Sequence, residues 1–220
     1  MTEFELIGRF FGRVLEGALE SFADGLPCPS FRPDQRVQLG IGDDCTMLRL
    51  DDQNSLVVSV DTQVEGRHFP RFCAPAHVAS RALGAAVSDL AAMGAEPVGC
   101  LLALTLPEVA TEWLTAFSLE VHRLACLWGL PLLGGDTTAG PLQVSFTVIG
   151  RVETARALRR GAARAGEDLW VSGSLGEASA ALDHLASASQ SASPGSSTLQ
   201  EDFRQRLLHQ RVEVAERAQR

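Results

Sequence analysis

Four acidic points stand out because of where they fall. Asp43 and Asp44 follow Gly40-Ile41-Gly42. Glycine lets the backbone turn sharply there, and two adjacent carboxylates repel each other unless a cation lies between them. Asp61 closes the apolar run Leu56-Val57-Val58-Ser59-Val60, and sites of α/β proteins gather at strand ends. Asp89 has Ala86, Ala85 and Ala82 on the turns before it and Ala92 and Met93 after it. On a helix it therefore projects from the face that packs inward. A carboxylate there needs an arginine, backbone N–H groups or a metal; Arg81 and Arg123 are the candidate arginines. Asp136 stands in Gly134-Gly135-Asp136-Thr137-Thr138, where paired glycines expose N–H groups to an anion and the hydroxyls can back a metal. Taken singly, Asp43-Asp44, Asp61 and Asp136 read first as turns or caps, whereas at Asp89 a metal or ligand stands ahead of an ion pair. Together they suggest a site for several Mg²⁺, which takes oxygen ligands and keeps water and phosphate in its octahedron. A polyphosphate is the natural ligand of such a cluster. His68, in Glu65-Gly66-Arg67-His68-Phe69, follows Asp61 closely enough to touch a substrate.

Composition narrows the chemistry. Nineteen basic residues against 27 acidic give a net charge of −8 over 220 residues. All nineteen are arginine; the sequence contains no lysine and no tyrosine. That absence excludes a Walker A lysine, a protein-kinase strand lysine, a Schiff-base lysine and a pyridoxal-phosphate site. The acidic balance disfavours nucleic acid and membrane surfaces, which need clustered cations. Five scattered cysteines with no CxxC pair suit a reducing compartment, not a disulfide scaffold or structural zinc. The start, Met1-Thr2-Glu3-Phe4-Glu5, carries acids where a signal peptide carries bases. No apolar run approaches a membrane span. These features read as a cytoplasmic protein.

The elements that must position these residues follow from periodicity. Residues 3–22 set Phe4, Ile7, Phe11, Val14, Leu15 and Leu19 at helical spacing. Pro27, Pro29 and Pro33 then break regular structure. Short strands are expected over 38–44, 45–50 and 56–60, the last stopping at Asp61-Thr62. Residues 77–93 read as a small-residue helix ended by Gly94, and 98–106 as an apolar strand closed by Pro107. Residues 112–128 read as a helix with Trp113, Phe117, Leu124 and Leu127 inward. Gly134-Gly135-Asp136 reads as a loop, 142–152 as a strand, and 168–172 as another. Residues 186–198 contain only Ala, Ser, Gln, Pro, Gly and Thr, a composition that cannot form a core. A weakly amphipathic helix is expected over 199–220. The order implies an α+β domain, a mixed sheet with packed helices, over 1–155, and the start of a second α/β domain over 156–220.

The segments 39–45, 59–69, 87–97 and 133–142 also resemble, in order and spacing, the thiamine-monophosphate kinase family. The resemblance runs from about residue 3 to about residue 185 and is strongest at Ser88-Asp89-Leu90-Ala91-Ala92-Met93-Gly94-Ala95 and Gly134-Gly135-Asp136-Thr137-Thr138. It implies the fold shared with aminoimidazole ribonucleotide synthetase. It implies ATP-dependent phosphorylation of thiamine monophosphate to thiamine diphosphate by direct transfer, and a homodimer built on the N-terminal domains. By the family pattern Asp44, Ser59, Val60 (through its backbone), Asp61, Asp89 and Asp136 would hold Mg²⁺. Gly135, Asp136 and Arg160 would contact ATP, and His68 would contact thiamine monophosphate. No side chain acts as a covalent catalyst in this scheme. Two departures stand beside the match: Ala86 occupies the place of a family asparagine, and the family's second domain, with its own Ser-Asp-Gly motif, extends further than residue 220. Two alternatives remain at this level. One is a truncated, non-catalytic nucleotide-binding or dimerisation module. The other is a related ATP-dependent synthetase, although a selenophosphate synthetase would be expected to pair an N-terminal cysteine with a lysine.

Overall fold

The computed structural model describes residues 36–39, 43–71, 73–168, 170–171 and 176. The helices expected over 3–22 and 199–220, the Ala/Ser-rich segment 186–198 and most of 156–220 beyond Asp168 lie outside the described residues. The elements run β1 (Val37–Leu39), β2 (Thr46–Arg49), β3 (Asn54–Val64), α1 (Pro75–Ala92), β4 (Glu96–Leu106), α2 (Thr111–Trp128), β5 (Leu132–Ala139) and β6 (Gln143–Glu153). Short 3-10 turns follow at Thr154–Arg156 and Arg160–Ala162. The strands form one six-stranded sheet in the order β1-β2-β3-β6-β4-β5. All pairs are antiparallel except β4 with β5. That parallel pair is joined by α2, the crossover that such a pair requires. The mixed sheet with packed helices agrees with the α+β expectation.

The alternation of side chains decides which face is covered. On β6, Val144, Phe146, Val148 and Val152 are buried, and on β3, Ser55, Val57 and Gln63. Pairing of Val57 with Gly150, Ser59 with Val148 and Asp61 with Phe146 puts these on one face. Met47 of β2 and Cys100 and Leu104 of β4 complete it. α1 closes this face with Val78, Ala79, Ala82, Leu83, Ala86, Val87 and Leu90. Ala86 is fully buried, so a side-chain amide there would be stripped of water. α2 packs beside α1; buried Ser80 donates to Glu120 at 2.6 Å, and Glu120 also holds Arg123 at 2.7 Å. Phe117 and Leu124 are inward as expected, and Trp113 stacks on Phe117 with ring centroids 5.0 Å apart. Leu127, by contrast, is 65% exposed, because α2 turns that position away from α1 and the sheet.

Two boundaries differ from the sequence reading. β3 continues past Asp61 to Val64, because β6 pairs with it residue for residue from Asn54 to Val64. Gly134-Gly135-Asp136 is not a tight turn but part of β5, an edge strand exposed along its whole length. Glycine serves there by close approach: a Cβ on Gly135 would stand 1.8 Å from the carbonyl oxygen of Leu102 on β4. Gly135→Ala is therefore expected to push β5 off β4. Faster amide exchange over 132–139 with little change at β3 and β6 would report it, and a lower melting temperature should accompany it.

Candidate functional site

Asp89 is carried on the last turns of α1, on the side of the helix opposite Ser80 and α2. Its Oδ2 accepts from Ser59 Oγ at 2.5 Å. Ser59 and Asp61 share the covered face of β3, and Asp61 Oδ1 receives Gln63 Nε2 at 3.1 Å. β2 pairs with β3 only as far as Thr46 with Val58. Continuing that antiparallel register sets Asp44 level with Val60, where the flank of β3 is no longer paired by β2. Val60 points its side chain to the uncovered face, 65% exposed.

The carboxylates sense one another. Burial pushes the Asp89 carboxyl above its usual range; Ser59 opposes the shift, Asp44 and Asp61 add to it, and Arg160 counters it. Cys45, beside them, is pushed up to about 12 by burial first and then by Asp89, Asp44 and Asp43. Burial and the neighbouring carboxylates thus disfavour the thiolate, the nucleophilic form of this sulfur. The cation that answers this charge is Arg160, whose guanidinium pairs with Asp44 and whose backbone N–H reaches both oxygens of Asp43 at 3.2 and 3.3 Å. Asp44 and Asp43 hold the Arg160 guanidinium above its ordinary value, against slight desolvation. Arg81 and Arg123, the arginines suggested for Asp89, lie elsewhere: Arg123 serves Glu120, and Arg81 Nε is buried without a hydrogen-bond partner.

Thus Asp44, Ser59, Asp61, Asp89 and Arg160 come together. Asp136 does not join them within the chain. It pairs with Ala103, which pairs with Ser145, which pairs with Thr62. That row lies on the uncovered face, three inter-strand steps, or about 14 Å, from β3. Gly135 lies in the neighbouring row, with Leu102 and Phe146. His68 sits in the exposed turn after β3, and its Nδ1 accepts the Val64 N–H at 3.0 Å. In the neutral ring that acceptor role puts the proton on Nε2.

The donors are carboxylate and hydroxyl oxygens, suited to a hard cation such as Mg²⁺, which uses one or two carboxylates and completes its shell with water and phosphate. Among the described residues, no three His, Cys, Asp or Glu side chains converge on one point. The arrangement is a carboxylate basin, not a closed cage. Asp43 was legible only as half of an acidic pair; its contact with Arg160, 117 residues away, had no local signal.

Comparison with known proteins places this arrangement. Residues 42–152 match the family described as AIR synthase related protein, N-terminal domain. This chain belongs to that family. The matched range holds Asp44, Ser59, Asp61, Asp89 and Asp136 and every element from β2 to β6 except the last residue of β6. The thiamine-monophosphate kinase of Salmonella typhimurium is 41% identical over 180 residues, covering 82% of this chain and 50% of that protein. The chain thus spans about half the length of the relatives it matches. The crystal structure of thiamine-monophosphate kinase from Stenotrophomonas maltophilia superposes with a TM-score of 0.71 at 37% identity, over 100% of this chain and 64% of that one. AaThiL complexed with AMPPCP and TMP gives 0.72 at 27% identity, over 79% and 55%.

The raised Asp89 carboxyl has a definite sign. A group raised in the folded state favours folding when protonated; that contribution is lost as pH climbs through the raised value. Ionised Asp89 is thus a burden at neutral pH. Asp89→Asn is expected to melt at a similar or higher temperature at pH 7, with the difference shrinking as pH falls through the carboxylate range. Mg²⁺ should raise the melting temperature of the parent more than that of the variant. A marked loss of stability with no dependence on metal would make Asp89 a structural residue.

Proposed function

We propose that this protein takes part in ATP-dependent phosphorylation of thiamine monophosphate to thiamine diphosphate. The observation that carries the reading is the basin of Asp44, Ser59, Asp61 and Asp89 answered by Arg160, in a chain 41% identical to a thiamine-monophosphate kinase. The relative solved with AMPPCP and TMP supports the pair of substrates.

In this reading Asp44, Ser59, the Val60 backbone, Asp61 and Asp89 hold Mg²⁺. Mg²⁺ held by these residues would supply charge neutralisation for the phosphate oxygens. An oxygen of the thiamine monophosphate phosphate bonds to the γ-phosphorus of ATP while the bond to the ADP oxygen breaks, and ADP departs. Such a transfer needs alignment and charge stabilisation more than a strong base, which agrees with a site lacking lysine and a thiolate. Arg160 offers a planar fork that suits phosphate oxygens, and its present partner, Asp44, is the group a cation would take over. His68 contacts thiamine monophosphate.

Gly135 and Asp136 face ATP in this reading, yet they stand across the sheet from the basin. We also propose a homodimer, with the uncovered face of the sheet as its interface. The uncovered face carries Leu56, Val58, Val60, Ile149 and Leu101 together with Thr62, Ser145 and Thr147, and an apolar surface of this kind is an interaction site. A second copy laid on it would cover Val60 and the Asp136 row, on the side of the sheet away from Ser59 and Asp61. The described residues contain no helix long and apolar enough to cross a membrane, which is compatible with action in the cytoplasm.

Purified protein given Mg-ATP and thiamine monophosphate is expected to form thiamine diphosphate and ADP. Asp89→Asn should slow formation about 10²-fold or more, and chelation should abolish it. Turnover of a different acceptor in a substrate panel, or nucleotide binding with no transfer to any of them, would overturn the assignment. Val60→Glu is expected to lower the sedimentation mass from dimer to monomer; an unchanged mass would remove this face as the interface.

A further inference from the structure

We infer that Asp43 is a positioning residue: it ties the segment leaving β6 to the carboxylate basin and so sets where the Arg160 guanidinium stands. The inference rests on the proposed contact of Arg160 with nucleotide phosphate.

The segment after β6 is tied to the body of the domain at several points. Thr154 N–H donates to the Gln53 carbonyl at 2.8 Å and Leu158 N–H to the Met93 carbonyl at 3.1 Å, just past the end of α1. The next tie to the body is Asp43. One of its oxygens accepts the Asp44 N–H at 2.9 Å and the Arg160 N–H at 3.3 Å; the other accepts the same Arg160 N–H at 3.2 Å. A single carboxylate thus locks two backbones, one at the entry to β2 and one beyond β6. Bonds from N–H groups to an ionised carboxylate are charge-assisted, stronger than neutral ones. The two residues locked this way are the ones whose side chains pair, Asp44 with Arg160.

This matters because an arginine side chain is long and rich in rotamers. Its guanidinium helps a reaction only when its Cα is fixed within reach of the reacting charge. With the backbone pinned by Asp43, the guanidinium can exchange Asp44 for a phosphate oxygen by side-chain rotation alone. Without the pin, Arg160 must first be ordered, and the bound nucleotide bears that cost. Asp43 itself is engaged by two N–H groups, which separates its role from that of Asp44.

The test is a double-mutant cycle read by calorimetric binding of a non-hydrolysable ATP analogue with Mg²⁺. Arg160→Gln and Asp43→Ala are each expected to weaken binding about ten-fold. The double variant should be no weaker than the weaker single, and Asp43→Asn, which keeps one oxygen, should fall between parent and Asp43→Ala. If Asp43→Ala does not fold, the Asp43→Asn and Arg160→Gln pair carries the same cycle, and amide exchange at Arg160 should quicken in Asp43→Asn. A lowered melting temperature with unchanged affinity would make Asp43 a turn cap only. Fully additive losses would sink the coupling while leaving the phosphate contact of Arg160 standing. Unchanged affinity in Arg160→Gln would remove that contact and this inference with it.

Discussion

The antiparallel ladder between β3 and β6 is the constraint on which the rest depends. It runs without a break from Asn54 to Val64, and in a strand a slip of one residue would send every side chain to the other face. Held in this register, Val57 enters the core, and Ser59 and Asp61 follow it on the same side, under α1. The buried valines and Phe146 of β6 oppose them on the same face. The polar groups of the basin are therefore aimed by hydrophobic burial two residues away, and α1 brings Asp89 down onto Ser59 from above.

The electrostatics follow from that packing. The fold forces Asp89 partly out of water and beside Asp44 and Asp61, so charge accumulates where desolvation makes it costly. Arg160 arrives from beyond β6 and offsets it at Asp44. The absence of lysine from the whole chain takes on meaning here. A flexible ammonium would add one more cation free to compress the basin, whereas arginine carries its charge in a fork with fixed directions. The acidic excess first noted in the composition is in part a local property of three carboxylates and one helix end.

Much of this was readable from the residues. The alanines around Asp89 disclosed that its carboxylate lies on an inward side of α1, and the limits of α1, α2, β4 and β6 follow closely from periodicity and from Gly94 and Pro107. The extent of β3 was not readable, because the polar run Asp61-Thr62-Gln63 looks like a strand end until β6 is seen to pair with it. The strand nature of Gly134-Gly135-Asp136 was hidden for the same reason: two glycines signal a turn locally, and only the approach of Leu102 explains Gly135. Asp136 was grouped with the other acids by type, whereas its face is set by its pairing with Ala103. Arg160 could be matched by motif but not by contact, since its partners lie more than a hundred residues earlier.

Cys45 shows a different outcome of the same crowding. Its thiol is buried and surrounded by negative charge, so its ionised form is suppressed up to about pH 12. The thiolate is the species that oxidants and alkylating agents attack. The basin therefore holds a buried sulfur beside its carboxylates whose reactive form is disfavoured. Cys126, on the exposed side of α2 with His122 3.7 Å away, is the more accessible target, and damage there would occur on α2 and not among the carboxylates.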